Sequence, residues 1–287
     1  RDRDGYLWIA TADGLARHDG VSMRVWRHDP ADPGGLPGNN VQALLVDGSD
    51  RVWAAVEGGG VSVLDAARGR FAHLRSSTHP QLGSDDVWAI ASQGDAVWLG
   101  TYDGGLHRVD ATGAITRYTT AEGLPSDTVL ALAVDAAGVL WVGTDAGLAR
   151  QHEGRFQPVV PPGADGALLV YSLTRQGDSL WIGTAQGVWQ AHAGGWSRPA
   201  WSGMFHRPNA LMAIATDTDG SRWIGSQRGL WRQRGDAPPE PVRTGGADIP
   251  RPAGALLLQP DGALWAPVSG LGLGFLRSDW RQLARFN

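Results

Sequence analysis

The stretch Gly138–Phe156, GVLWVGTDAGLARQHEGRF, decides the fold, because the chain writes it again and again. It reads as a strand ending in Gly-Thr, a glycine turn, a second strand, another glycine turn and the start of a third strand. Aligning on the tryptophan recovers LWIATADGLARHDG at Trp8, VWAAVEGGGVSVLD at Trp53 and VWLGTYDGGLHRVD at Trp98 before it. After it come LWIGTAQGVWQAHAG at Trp181, RWIGSQRGLWRQRG at Trp223 and LWAPVSGLGLGFLR at Trp265. Successive tryptophans are 45, 45, 43, 40, 42 and 42 residues apart. A fixed period of this size marks one supersecondary unit that cannot bury its apolar face alone and stacks on its neighbours.

Each unit holds four short strands. Apolar first strands begin near Val41, Val87, Val129, Val170, Leu211 and Ala253, and tight turns such as DAAG (Asp135–Gly138) or DTDG (Asp217–Gly220) lead into the tryptophan strand. A last strand falls around Trp26, Phe71, Ile115, Phe156, Trp196 and Trp280. No amphipathic helix interrupts the pattern. The reading is all-β: a seven-bladed β-propeller of four-stranded antiparallel blades that uses residues 1–287 as one domain. The first blade lacks most of its inner strand, since only RDRD precedes Gly5. The expectation is that upstream residues complete it, or that the ring closes around a three-stranded blade.

Composition agrees. Among 287 residues there are 41 Gly and 14 Trp, which favours many tight turns and a recurring large aromatic residue, and 42% hydrophobic residues suffice for a core. There is no cysteine, so disulfides and thiolate metal sites are excluded. A net charge of -4 leaves no basic stripe for phosphates, so nucleic acid is not an expected partner. No apolar run is long enough to span a bilayer, and the chain reads as a piece of something longer.

The structural expectations are specific. Trp8, Trp53, Trp98, Trp141, Trp181, Trp223 and Trp265 should wedge between neighbouring blades. Gly14, Gly104, Gly147, Gly187 and Gly229 should supply a positive φ after the tryptophan strand, with Thr11, Thr101, Thr144, Thr184 and Ser226 bonding the turn. Pro267 sits inside a strand and should end or bulge it.

The motif GLPSDTVLALAVDAAGVLWVGTDAGLARQHEGRF (Gly123–Phe156) resembles the two-component regulator propeller repeat, and GLPGNNVQALLVDGSDRVWAAVEGGGVSVLD (Gly35–Asp65) resembles it more loosely. The second and seventh units depart from Gly-Thr after the tryptophan, with AAV and APV. The resemblance implies the extracytoplasmic sensor region of a bacterial membrane receptor, located in the periplasm. It also implies a membrane helix and a histidine kinase or diguanylate cyclase outside this chain. Such receptors commonly dimerise. The family carries no shared catalytic set, and no cofactor is implied.

Function is sought where equivalent positions vary. The turns joining second and third strands should share one rim with the inter-blade loops. They carry Asp13, Glu57, Tyr102 with Asp103, Asp145, Gln186, Gln227 with Arg228, and Ser269. The four acidic turns form a candidate half-rim for a polyol or cation, although Asp is also at home in solvated turns. The second residue of each first strand varies from Gln42 to Trp88, Leu130, Tyr171, Met212 and Gly254. Trp88 and Tyr171 are candidates for stacking on a sugar, with inter-blade packing as the alternative. The loop SRPAWSGMFHRPN (Ser197–Asn209) offers Trp201, Phe205, His206, Arg207 and Asn209 as a recognition surface. A second long loop runs from Gly235 to Gly254.

No HExxH or GxSxG motif and no distinctive carboxylate pair is present, so no catalytic residue, metal site or enzymatic activity is assigned. The leading expectation is a sensing propeller for a small polar ligand such as a carbohydrate. The alternatives are a platform for another receptor domain and, behind it, a propeller lyase or glycosidase.

Overall fold

The computed structural model describes residues 1–244, 247–248, 255–259, 262–268 and 272–276. Apart from three short stretches of 3-10 helix, the regular structure among them is β. The chain forms two compact units, residues 1–159 and 160–287.

The first unit contains four antiparallel sheets whose strands pair in chain order. Blade one (7–26) has three strands, and blades two (41–74), three (87–118) and four (129–159) have four each. Blade one opens directly on the tryptophan strand Leu7–Thr11, and among the described residues it has no inner strand. The second unit holds four-stranded blades five (170–197) and six (211–241), a short hairpin (243–248) and a smaller three-stranded sheet (257–276). The described residues therefore build six blades and a smaller last sheet where the sequence predicts seven blades. The strands expected near Ala253 and Trp280 lie outside the described residues.

Two expectations need correction. The stretch Gly235–Gly254 is not only a loop, because Glu240–Pro241 pairs with Trp231 and Arg232 as the fourth strand of blade six. Nor does Pro267 end or bulge its strand, which runs Leu264–Val268 in unbroken register with Gly272–Leu276. The strand on the other side pairs only at Leu264 and Trp265. The missing N–H of Pro267 thus breaks no described ladder bond there.

Trp8, Trp53, Trp98 and Trp181 wedge as expected. Trp98 of blade three shares a buried cluster with Leu124, Val129, Leu140, Val142 and Phe156 of blade four. Trp8 does the same with Val41 and Val52, and Trp53 with Val87, Val97 and Leu99. In the second unit Trp181 packs with Leu211, Ile214 and Ile224. Each indole also needs a hydrogen-bond acceptor once buried. In the first unit the residue that starts the preceding turn supplies it: Trp8, Trp53 and Trp141 donate Nε1–H to Asp2, Asp47 and Asp135, each at 2.8 Å, and Trp98 donates to Gln93 at 3.0 Å. Asp47 also accepts the backbone N–H groups of Ser49 and Arg51 at 2.9 Å, so one carboxylate both closes the turn and anchors the wedge. Burial pushes the Asp47 carboxyl up, but the donors Trp53 and Arg51 outweigh it and hold it below the usual carboxylate range.

A leucine on the approach to blades two, three and four, within GLP at Leu36 and Leu124 and within PQLG at Leu82, plugs the same interfaces. Leu36, Leu82 and Leu124 are buried in successive clusters of the first unit. Gly123 holds φ +101°, and a Cβ there would lie 2.0 Å from the carbonyl oxygen of Phe156. The expected positive φ is found at Gly14, Gly187 and Gly229, but not at Gly104 or Gly147. At those two positions glycine is needed for space, since a Cβ would meet Ser84 Cβ at 2.9 Å or Pro125 Cβ at 2.8 Å. The hydroxyls act as predicted: Thr144 Oγ1 donates to Gly147 O at 2.9 Å and accepts from Gly147 N at 2.9 Å.

Gly138 holds φ +80° in an open turn. Gly138→Ala should therefore cost only the left-handed penalty of about 1–2 kcal/mol, and Gly123→Ala should cost clearly more; urea midpoints of the two variants test this.

His107 is fully buried on a middle strand of blade three, and desolvation, helped by the Arg117 charge, lowers its pKa to about 4. His73 is shifted in the same direction by burial and Arg75. The unfolded chain therefore binds the proton that folded His107 refuses. Its contribution is complete above about pH 6.5 and drains as the pH falls towards 4, up to about 3 kcal/mol. His107→Leu should flatten that part of the stability profile in urea melts between pH 4 and 7.

Candidate functional site

The first strands of blades two, three and four lie side by side, as do those of blades five and six. Each of these five strands carries a β-bulge at its second residue. In blade three Val87 pairs with Thr101 and Ala89 with Gly100, leaving Trp88 unpaired. The same shift isolates Gln42, Leu130, Tyr171 and Met212. A bulge releases one side chain from the sheet's alternation and re-aims it. The position that varies most between repeats is thus the one the backbone frees.

The neighbouring residue must stay small. A Cβ on Gly100, opposite Ala89, would lie 2.5 Å from Val129 Cγ1 of blade four. Replacing Gly183, opposite Ser172, would place one 2.3 Å from Leu211 O. First strands approach too closely for larger side chains there.

The turns between second and third strands are tied to the bulged ends by backbone bonds. Glu57 N donates to Asn40 O at 2.9 Å, Tyr102 N to Asp86 O at 2.9 Å and Asp145 N to Thr128 O at 3.3 Å. In the second unit Ala185 N bonds Leu169 O at 2.9 Å and Gln227 N bonds Ala210 O at 3.1 Å. The two groups of variable residues therefore share one rim, blade by blade.

Trp88 and Tyr102 come together on that rim. Their ring centroids are 5.6 Å apart with planes tilted by 31°. They remain 43% and 50% exposed, among the few large apolar side chains that do so. Asp103 beside them is exposed. Asp86 Oδ1, two residues before Trp88, is shielded from solvent and has no hydrogen-bond donor among the described residues. Part of the pair was legible in the sequence, since Tyr102 is the one aromatic residue of its turn column and Trp88 shares its column's aromatic character only with Tyr171.

The other candidates separate into exposed groups and structural ones. Asp13 is exposed and ion-paired to Arg27 at 2.7 Å, a contact that lowers its pKa. Glu57 accepts from Asn40 Nδ2 at 2.6 Å, and Asp145 is exposed. Among the described residues no group of three acidic or histidine side chains is placed to hold a metal ion. Gln186 clamps the loop before blade five through Asp165, and Tyr171 is half-buried. Gly254 and Ser269 lie outside the described residues.

The recognition loop Ser197–Asn209 is corrected in part. Trp201 is 8% exposed and Phe205 fully buried; Trp201 stacks on Trp181 at 5.9 Å, and both rings fill the cluster between blades five and six. They replace the leucine plug of the first unit with aromatic volume. Asn209 is buried as well, donating to Met204 O at 3.0 Å and accepting from Ser226 Oγ at 2.8 Å. Only His206 and Arg207 remain outside, joined by the exposed Arg228.

A family model described as two component regulator propeller matches residues 123–146. The chain carries a two-component regulator propeller repeat. The match falls on the GLP plug, the first strand with its bulge and the tryptophan strand of blade four, the unit from which the resemblance was read. A search of the curated proteins finds no match. Among solved structures, the chain is similar to the extracellular domain of BT4673 from B. thetaiotaomicron, described as a hybrid two component system. Identity is 22% and TM-score 0.77, over 96% of this chain and 37% of that one. The extracellular domain of BT3049 from the same organism gives 22% identity and TM-score 0.66, over 98% and 39%. Virginiamycin B lyase from Staphylococcus aureus gives 16% and 0.64, over 85% and 82%. At such identities the likeness shows the fold, an all-β propeller of four-stranded antiparallel blades. The chain spans less than two-fifths of the two receptor ectodomains. No helix among the described residues is long and apolar enough to cross a membrane.

Because Trp88 and Tyr102 stand on the rim and not in a wedge, Trp88→Ala and Tyr102→Ala should each change stability by about 1 kcal/mol or less. Trp98→Ala should cost about 3–5 kcal/mol. Urea denaturation of the three variants makes the comparison.

Proposed function

We propose that this chain is a ligand-binding propeller in the periplasmic region of a bacterial signalling receptor, with no chemistry of its own. The exposed Trp88–Tyr102 pair carries the reading. Two large aromatic side chains held half in water by bulge and turn geometry are a platform for the apolar face of a pyranose ring. The exposed carboxylate of Asp103 supplies an acceptor for ring hydroxyls. The ligand is a small polar molecule of the carbohydrate class. The propeller has seven blades, the last built on the small sheet around Trp265, and the output domain, a histidine kinase or diguanylate cyclase, lies beyond this chain.

Support for the receptor context comes from the repeat at 123–146 and from the likeness to two extracellular domains of sensor systems. A rigid scaffold signals only if its ligand favours one receptor state over another, since equal binding shifts nothing. The rim turns tied to the bulged strands are where a ligand would bias packing against a neighbouring receptor domain.

The test is a thermal-shift screen of the purified chain against mono- and oligosaccharides, repeated with Trp88→Ala and Tyr102→Ala. A sugar at 100 times its dissociation constant should stabilise by about 2.7 kcal/mol, a shift of several degrees that both variants lose. If no sugar moves the wild type, the direct-sensor reading falls, and the aromatic pair becomes the docking patch for another receptor domain.

A further inference from the structure

The second unit carries a cleft of about 670 Å³ at the edge of blade six, within the range typical of small-molecule sites. Its walls come from the corrected loop, the turn after the tryptophan strand and the fourth strand of the blade. Met204, Pro208, Leu230 and Trp231 give an apolar lining, and Arg228 and His206 give the polar points.

The lining is held in place before any ligand arrives. The Trp231 ring is fixed edge-on by Phe205, with centroids 5.5 Å apart at 84°, and its Nε1–H is spent on Ser226 Oγ at 2.9 Å. Asn209 uses its amide on Met204 O and its oxygen on Ser226. Arg228 N donates to the same Ser226 hydroxyl at 3.2 Å, which fixes the turn. The His206 ring donates Nδ1–H to Gly203 O at 2.5 Å, leaving Nε2 as its acceptor nitrogen. With these groups satisfied, one strong donor is left over: no carboxylate among the described residues pairs with the Arg228 guanidinium, which is exposed.

We propose that this cleft is a second binding site, for a small carboxylate carried on a flat apolar body. The carboxylate takes the planar fork of Arg228, which suits bidentate pairing. The body lies against Trp231, Met204 and Pro208, and a hydroxyl on it would donate to His206 Nε2. The site rests on the second unit alone and does not depend on the Trp88–Tyr102 platform of the first. Phe205, buried with Trp201 in the interface between blades five and six, also sets the Trp231 wall.

The experiment is a titration of the purified chain with benzoate, benzamide and inorganic sulfate, followed by calorimetry and saturation-transfer NMR. Benzoate should bind, with benzamide and sulfate each at least tenfold weaker, because the first lacks the charge and the second the apolar body. Arg228→Gln should weaken benzoate at least tenfold without unfolding, since the side chain is exposed. Met204→Glu, an added negative charge at the mouth, should do the same, and Trp88→Ala should bind benzoate as the wild type does. Absence of benzoate binding overturns the proposal. So does benzamide binding as well as benzoate, sulfate binding as well as benzoate, or unchanged affinity in Arg228→Gln.

Discussion

The buried indole between consecutive sheets is the interaction on which the rest of the structure depends. A four-stranded antiparallel blade carries apolar residues that must be covered, and left by itself it would expose them to water. The tryptophan of one blade closes that gap by filling the space against the first and second strands of the next, as Trp98 does with Val129 and Val142. Filling it with indole creates a second demand, a partner for Nε1–H, and the turn aspartate meets it. Asp47 and Asp135 serve the turn backbone and the wedge through one carboxylate. In the first unit the repeat is therefore not a tryptophan alone but an Asp followed by Trp six residues later, with Gln93 substituting in blade three.

The same close packing separates structure from recognition at the rim. Third positions of the first strands are confined to Ala or Ser by the approach of the next blade, while second positions are expelled from the ladder by a bulge. Expelled residues carry no packing duty that the repeat needs, so they differ freely: Gln42, Trp88, Leu130, Tyr171 and Met212. Variation between repeats therefore has a backbone cause, and this is the physical warrant for reading Trp88 as a recognition residue.

The loop between blades five and six shows where that logic stops. In composition Ser197–Asn209 looks like a binding surface, yet Trp201 and Phe205 are buried because this interface lacks the leucine that GLP supplies elsewhere. An aromatic residue on a loop is ambiguous until it is known which cavity the loop crosses. His206 and Arg228 were singled out in the sequence on separate grounds, and only the folded loop places them together beside Trp231.

The chain's period, its tryptophans and its turn residues determined the blade, because spacing of 40 to 45 residues and local hydrogen bonding are properties of one repeat at a time. The three-stranded first blade was legible for the same reason. Tertiary structure alone decided what depends on the contact of two repeats. It decided which glycines serve φ and which serve space, since Gly104 and Gly147 answer to Ser84 and Pro125 on the preceding loop. It decided that Pro267 can lie inside a strand, because the ladder on one side stops short of it. It also chose which aromatic residues face water, because burial is set by the neighbour that fills or leaves a gap, and no single repeat specifies its neighbour.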